Sequence, residues 1–123
     1  MKYILYILTF FSFLSGYAQE EKKYIREGNE LYEQKKYSEA DASYKKALEK
    51  NSKSIKADFN LGDALYKQKK YAEAIQQFQK VAETTKDDAL KAKSFHNIGN
   101  SLLESQKYQE SIAVSYTHLR AHE

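Results

Sequence analysis

The sequence predicts an all-α protein, an α-solenoid of repeated helical hairpins, and three observations lead to this prediction. Residues that favour helices, chiefly Lys, Glu, Ala, Gln and Leu, dominate the middle of the chain. Proline is absent and glycine occurs only 4 times, so little in the sequence interrupts a helix. Three segments of similar pattern follow one another in phase, each with a glycine inside a helical pattern: Gly28, Gly62 and Gly99. A repeat period of roughly 20 to 50 residues is typical of solenoids.

The positions around each glycine define the repeat. Gly28 and Gly62 are 34 residues apart, and Gly62 and Gly99 are 37 residues apart. A leucine stands three residues after each glycine, and a tyrosine preceded by lysine stands nine residues after it. A small residue follows at position twelve, and an aromatic residue follows at sixteen in the first two copies. The signature residues are Tyr37, Ala40 and Tyr44 in the first copy, Tyr71, Ala74 and Phe78 in the second, and Tyr108 in the third.

The pattern also predicts each helix. We expect helices near 22–34 and 38–50, near 54–68 and 72–84, and near 88–105 with a last helix from about residue 109. Ser38 is a candidate N-cap of the second helix. A glycine inside a helix costs about 1 kcal/mol relative to alanine, so each one needs a packing reason. We expect Tyr44 to lie on Gly28 and Phe78 to lie on Gly62, because a missing side chain lets a ring reach the backbone. Accidental similarity of three amphipathic helices is the alternative interpretation.

On these residues, the segment from about 22 to 113 resembles the tetratricopeptide-repeat (TPR) family. The 34-residue spacing equals the family's period, and the order of small, large, small and aromatic residues matches its signature. The resemblance implies a TPR domain over residues 19–113, with repeats at about 22–53, 56–87 and 93–113. Two of these repeats are complete and the third is truncated.

The N-terminus has the three-part pattern of a secretory signal peptide. Lys2 gives a positive end, residues 3–14 are nearly all apolar or aromatic, and Gly16 and Ala18 stand where a signal peptidase requires small residues. We therefore expect residues 1–18 to be a signal peptide, cleaved after Ala18, and the rest to be exported to the periplasm or cell envelope. An uncleaved membrane anchor is the alternative, although a membrane-spanning helix needs about 20 apolar residues.

The C-terminus departs from the repeat. Ser115 occupies the position that Tyr44 and Phe78 hold in the first two copies. Written as codons (GTC TCT TAT ACA CAT CTC CGA GCC CAC GAG), residues 114–123 resemble a transposase adapter used in sequencing-library preparation. We therefore predict that this tail is an artefact, that the natural protein continues differently, and that the chain as written is only marginally stable. A divergent last helix is the alternative. Two histidines with a metal-binding spacing carry no meaning in such a tail: His118 and His122.

Polar residues on the first helix of each hairpin form the candidate partner-binding groove. The resemblance implies a protein or peptide partner, because TPRs usually hold peptides in a groove lined by these A helices. Residues one after and two before each glycine project into this groove by helical spacing. Asn side chains suit it because they offer donors and an acceptor to an extended backbone. The candidates are Arg26, Asn29, Lys56, Asn60, Asp63, Lys93, His96, Asn97 and Asn100.

Some TPRs use groove residues of this kind to grip a C-terminal carboxylate with a clamp of Lys and Asn. Asn29, Asn60 and Lys93 match that clamp, whereas Ile25 and Asn97 stand where it requires basic residues. The match to the carboxylate clamp is therefore partial. For every groove residue, the alternative is a polar side chain that only keeps the surface solvated.

The composition excludes several other functions. The chain has no cysteine, so it has no disulfide, thiolate metal site or cysteine nucleophile. Acids and bases alternate, with a formal net charge of +3, so no basic stripe predicts nucleic-acid binding. His96 is the only histidine before the tail and has no catalytic motif around it. No phosphate-binding glycine loop appears. We expect no enzymatic activity, no cofactor and no metal site.

A narrower resemblance is to the TPR protein of bacterial aerotolerance (Bat) operons. It rests on the signal sequence, the pair Gly28-Asn29, the string NLGDALYKQKKYAEAI and above all residues 94–100. The resemblance implies an adaptor of the cell envelope in a stress or oxygen-tolerance complex with von Willebrand factor A-type proteins. Membrane contact would arise only through an uncleaved signal segment or a membrane-bound partner. Alternatives are a general assembly or chaperone-like scaffold, and the helical part of a larger enzyme lost by truncation.

Overall fold

The computed structural model describes the backbone of residues 2–121. Side chains are described in this range except at residues 2, 5, 8–15, 116, 118, 119 and 121, so the histidine pair His118 and His122 lies outside the described set. The described chain forms five α-helices that pack in chain order, which confirms the predicted all-α solenoid. The helices are α1 (Lys2–Glu33), α2 (Tyr37–Lys50), α3 (Ile55–Lys67), α4 (Tyr71–Thr84) and α5 (Asp88–Ala121).

In each of the first two hairpins, an aromatic ring of the second helix packs on a glycine of the first. The ring of Tyr44 lies on Gly28, where an added Cβ would be 2.5 Å from the ring atom Cε1. The ring of Phe78 lies on Gly62 in the same way, at 2.7 Å. Tyr44 is 2% exposed and Phe78 is 0% exposed, so neither ring has free space to move into. The two glycines therefore have the packing reason that their positions inside helices require.

The turns inside these hairpins share one backbone geometry. Lys35 adopts a left-handed conformation with φ 61°. Its N–H donates to the carbonyl of Tyr32 at 2.9 Å, and the N–H of Lys36 donates to the carbonyl of Leu31 at 2.9 Å. This pair of bonds is a Schellman motif, which satisfies carbonyls at the end of α1. The turn after α3 repeats the geometry with Lys69 at φ 62°.

Tyrosines stabilise both turns. Tyr37 and Tyr71 are the first residues of α2 and α4. Each ring packs edge-on against a tyrosine of the preceding helix, with centroid distances of 5.1 Å to Tyr32 and 5.5 Å to Tyr66. The predicted N-cap at Ser38 is wrong, because the Schellman turn brings the chain into α2 one residue earlier and the cap position makes no side-chain bond.

Gln68 joins the first hairpin to the second. Its Nε2 group donates to Asp41 Oδ2 at 3.0 Å and to the carbonyl of Tyr37 at 3.4 Å. Asp41 is buried and also pairs with Lys45 at 2.7 Å. These contacts lie at one end of a core to which α2, α3 and α4 contribute buried side chains. Gln68 and this core therefore hold α3 against α2.

The third copy of the repeat differs from the expected hairpin. α5 continues from Asp88 to Ala121 without the turn expected before residue 109. Among the described residues, no atom lies within 4 Å of a Cβ added at Gly99, and Tyr108 is 46% exposed in mid-helix instead of standing at a turn. The physical reason is Ser115: a folded-back helix would bring a hydroxyl where the first two hairpins have a ring. Without that ring, breaking α5 would lose helical hydrogen bonds for little buried surface.

α1 also extends beyond its predicted bounds, because it begins at Lys2 instead of near residue 22. Past residue 18 it packs on α2: Glu20 pairs with Lys50 at 2.9 Å, and Asn51 Nδ2 donates to Glu21 at 3.0 Å. No helix in the described part of the chain combines the length and apolar character that a membrane crossing requires. Removal of residues 1–18 stays a prediction.

Candidate functional site

The first pocket lies where α1, α2 and α3 meet, and we call it the α1–α3 pocket. Its volume is about 240 Å³. Three residues of α1, one of α2 and two of α3 line it: Asn29, Tyr32, Glu33, Tyr44, Asn60 and Asp63. The register that seats Tyr44 on Gly28 also brings the Tyr44 hydroxyl to this pocket. The repeat packing and the pocket are therefore two consequences of one helix crossing.

A hydrogen-bond network organises the α1–α3 pocket. Asn29 Oδ1 accepts from the hydroxyl of Tyr44 at 2.7 Å and from Nδ2 of Asn60 at 3.0 Å. Because the oxygen accepts both bonds, the orientation of the Asn29 amide is fixed, and its Nδ2 group is the end available to donate. The network links three helices and holds two amide groups on one wall of the pocket.

A second pocket continues the groove towards α5, and we call it the α3–α5 pocket. Its volume is about 250 Å³. Asn97 Nδ2 donates to Asp63 Oδ1 at 3.3 Å across it, and the ammonium of Lys93 lies 5.1 Å from the centre of the Phe59 ring nearby. It shares Tyr32 and Asp63 with the first pocket, so the two are neighbours. The lining residues are Tyr32, Asp63, Tyr66, Lys67, Phe78, Lys93, Asn97 and Asn100.

The electrostatics of the two pockets centre on Asp63. Burial raises the pKa of Asp63 from 3.8 to about 6, although the charges of Lys93 and Lys67 oppose the rise. Burial also raises the pKa values of Tyr32 and Tyr44 to about 12, with a further rise from the charge of Asp63. At neutral pH both phenols are therefore uncharged, and Asp63 is largely ionised.

The comparisons with known proteins agree with this architecture. A family model described as "Tetratricopeptide repeat" matches residues 25–89, more than half of the chain. The chain belongs to the tetratricopeptide-repeat family. The matched residues cover both closed hairpins and both left-handed turns of the TPR chain.

A solved structure is similar as well. It is described as "YrrB: a TPR protein with an unusual peptide-binding site", and it is 30% identical with a TM-score of 0.55. The match covers 69% of the TPR chain and 43% of YrrB, so the chain spans less than half the length of that relative. A search of curated proteins gave no match.

Most of the sequence-predicted groove residues of the TPR chain meet in these two pockets. Six line them, and the other three, Arg26, Lys56 and His96, are exposed and line neither pocket. Helical spacing does not explain the difference, because Arg26 holds the same repeat position as Asn60, and Lys56 the same position as Lys93. The six that line the pockets are Asn29, Asn60, Asp63, Lys93, Asn97 and Asn100.

Four lining residues were not among the sequence-predicted candidates, although the sequence carried a signal for them. Tyr32 and Tyr66 stand four residues after Gly28 and Gly62, and Glu33 and Lys67 stand five after them. Residues four apart on a helix lie on one face, so these positions share the groove side of each A helix. The in-phase tyrosines were the stronger of the two signals.

The described residues of the TPR chain contain no group of three or more His, Cys, Asp or Glu side chains that could hold a metal ion. The polar groups of the pockets are amides, phenols, two carboxylates and two ammonium groups. This set can donate and accept hydrogen bonds and can pair with either charge.

Proposed function

We propose that the TPR chain is an adaptor that binds an extended segment of a partner protein along the α1–α3 and α3–α5 pockets. The observation that carries the proposal is the continuity of these pockets, which share Tyr32 and Asp63 and present amides on neighbouring helices. Membership of the TPR family supports it, and so does similarity to YrrB, which is described as having a peptide-binding site.

The chemistry of the groove suits a peptide backbone. An extended segment carries unpaired N–H and C=O groups that must find partners when they leave water. Asn29 and Asn60 belong to one hydrogen-bond network, and Asn97 is held by Asp63, so these amides are already oriented before a ligand arrives. Oriented groups lose less side-chain entropy on binding than mobile ones do. The groove therefore favours a bound main chain, while its charges select the side chains.

The proposed place of action is the bacterial cell envelope, in a stress or aerotolerance complex that contains von Willebrand factor A-type proteins. The N-terminal signal pattern supports export, and the similarity of residues 94–100 to the TPR protein of Bat operons supports the complex. A non-enzymatic role follows from an interaction module of this kind.

A pull-down from envelope extracts with the full-length chain tests the adaptor role. We expect the double variant Asn60→Ala, Asn97→Ala to lose at least tenfold of the captured partner, because each amide contributes polar contacts to the ligand. Gln79→Ala on the exposed side of α4 removes a matched amide and should capture as much as the unaltered chain. Equal capture by the groove variant would place the binding surface elsewhere. Mass spectrometry of the captured proteins then tests the complex, which requires a von Willebrand factor A-type protein among them.

The two ends of the chain are proposals as well. We propose that signal peptidase removes residues 1–18 and that the natural protein has a different sequence in place of 114–123. N-terminal sequencing of the exported protein should begin at Gln19. Sequencing of genomic DNA across the codon for Ala113 should show a different continuation of the reading frame.

A further inference from the structure

The charges of the groove are divided between its two pockets. Two carboxylates, of Glu33 and Asp63, line the α1–α3 pocket, and no lysine or arginine is among its lining residues. Both lysines of the groove, Lys67 and Lys93, line the α3–α5 pocket instead. Asp63 stands on the boundary between the pockets, where Asn97 of α5 donates to it and the charges of Lys93 of α5 and Lys67 of α3 act on it. Glu33 is therefore the carboxylate whose charge lies wholly on the α1 side.

The remaining wall of the α1–α3 pocket narrows the choice of ligand. Tyr32 and Tyr44 carry no charge at physiological pH, and the partly exposed Tyr32 contributes an aromatic ring, whose faces attract cations. The amide oxygen of Asn60 can accept a further hydrogen bond. A carboxylate in this pocket would be repelled by Glu33 and Asp63. An apolar side chain would displace water from the carboxylates of Glu33 and Asp63 and could not replace the hydrogen bonds that this water makes.

We infer that the α1–α3 pocket binds a basic side chain of the partner, an arginine or lysine, beside Tyr32 and against the carboxylates of Glu33 and Asp63. The inference rests on the proposed function, since it names the side chain that the bound peptide must offer there. The neighbouring α3–α5 pocket, with two lysines, takes an acidic or neutral side chain of the same segment. The partner segment thus carries opposite charges at nearby positions.

The overall charge of the protein makes a local test possible. The formal net charge is +3, so long-range attraction favours acidic peptides over basic ones. A preference for basic peptides would therefore come from the pocket itself. It would also persist at higher salt better than a long-range effect does, because charges in close contact are screened less.

Fluorescence anisotropy with labelled decapeptide pools tests the inference on the full-length chain. The central residue of each pool is fixed as Arg, Lys, Gln or Glu, and the other positions are random. We expect the Arg and Lys pools to bind about tenfold more tightly than the Glu pool, as charge-assisted hydrogen bonds imply. Glu33→Gln and Asp63→Asn should each remove most of this difference. Lys67→Gln should keep or enlarge it, because it removes a cation near Asp63.

The matched control is Glu49→Gln, which removes one carboxylate from an exposed position of α2 outside both pockets and should leave the preference unchanged. A second readout localises the binding: the side-chain NH₂ resonances of Asn29 and Asn60 should shift with N-acetyl-arginine amide but not with N-acetyl-glutamine amide. Equal binding of all pools would overturn the inference and leave the proposed function standing. Failure of every pool to bind would overturn both. Loss of the preference in Glu49→Gln would assign it to general charge and overturn the inference alone.

Discussion

At the scale of single residues, the repeat glycines differ in what surrounds them. We expect Gly28→Ala to lower the free energy of unfolding by about 1–2 kcal/mol, because the clash with the buried Tyr44 ring outweighs the gain in helix propensity. Gly62→Ala should have the same effect, because its methyl group would clash with the Phe78 ring. Gly99→Ala should instead raise it by about 0.5–1 kcal/mol, since an added methyl group meets nothing within 4 Å. Urea unfolding followed by circular dichroism measures all three.

Gly99→Ala serves as the internal control of this series, because it changes the same residue type on the same kind of helix. A destabilising Gly99→Ala would mean that a ring covers this glycine in solution, as in the first two hairpins. The sequence alone could predict the role of Gly28 and Gly62, since their rings lie at a fixed distance along the chain. The same spacing of sixteen residues leads from Gly99 to Ser115, which has no ring, so Gly99 is not covered in the same way.

The hydroxyl of Tyr44 offers a second test at this scale. Tyr44→Phe keeps the ring on Gly28 and removes the donor to Asn29 Oδ1, and Phe78 shows that the equivalent position accepts phenylalanine. We expect a loss of about 0.5–1.5 kcal/mol in the free energy of unfolding, the net value of one hydrogen bond. Thermal unfolding measures it, with Tyr108→Phe on the exposed side of α5 as the control. An unchanged melting temperature would show that water replaces this bond in full.

At the scale of elements, the two hairpin turns carry lysine where glycine is the residue best suited. Lys35→Gly and Lys69→Gly should each stabilise the chain by about 0.5–1 kcal/mol, because a left-handed conformation is unfavourable for a residue with a Cβ atom. The gain is smaller than the full conformational penalty, since glycine also gains entropy in the unfolded chain. Chemical unfolding of each variant against the unaltered protein gives the difference.

Gln106 holds the position of Lys69 in the third copy of the repeat. A substitution there can distinguish a continuous α5 from an α5 that is broken by a turn. Gln106 follows Lys69 by the 37-residue spacing but lies inside a continuous helix. Gln106→Gly should therefore destabilise the protein, by about 1 kcal/mol if the surrounding helix is fully formed. A stabilising effect like that of Lys69→Gly would contradict the continuous α5 and indicate a turn there. Periodicity predicted both closed turns but could not predict their left-handed lysines, since nothing in the residue type marks that conformation.

The boundary between the pockets gives a pH-dependent prediction. The pKa of Asp63 is raised from 3.8 to about 6, so its contribution to stability is fully present below pH 3.8 and is lost as the pH rises through 6. Asp63→Asn removes the buried charge and should stabilise the chain by about 1–2 kcal/mol at pH 7.5. The gain should shrink to a small part of this value at pH 4, where Asp63 is protonated in the folded state and about half ionised in the unfolded state. Urea unfolding at the two pH values measures both differences.

Asp63→Asn is also informative in the peptide experiment. If this variant is more stable but binds basic peptides less well, the weaker binding comes from a lost contact and not from unfolding. Glu49→Gln gives the comparison for stability, since it removes an exposed carboxylate of α2 outside both pockets. A gain from Asp63→Asn that stays constant from pH 4 to 7.5 would contradict the raised pKa. The charges that face Asp63 come from several helices: Glu33 of α1, Lys67 of α3 and Lys93 of α5.

At the scale of the whole molecule, the sequence predicted what is local and periodic. The bounds of α2, α3 and α4 agree with the structure to within one or two residues at each end, because turn residues and repeat phase mark them. α1 and α5 run further than predicted, since no proline or cap stops a helix there and only packing could shorten it. The pockets were predictable as far as six polar residues that project from A helices: Asn29, Asn60, Asp63, Lys93, Asn97 and Asn100. The charge separation between pockets was not, because it depends on which side chains of neighbouring helices meet.

One face of α5 leaves large apolar side chains exposed. Phe95 and Leu102 are 56% and 57% exposed on α5, because no second helix covers them. Replacing residues 109–121 with a copy of 72–84 puts a phenylalanine at position 115, in phase with Gly99. We expect α5 to break before Tyr108 and the grafted helix to fold back, which raises the free energy of unfolding by about 2–4 kcal/mol through burial of apolar side chains. The urea m-value should rise too, because it scales with the surface exposed on unfolding.

The same graft with serine kept at position 115 is the control, and its free energy of unfolding should stay close to that of the unaltered chain. If both grafts stabilise the protein equally, the ring on the glycine does not close the hairpin, and helix propensity alone accounts for the gain.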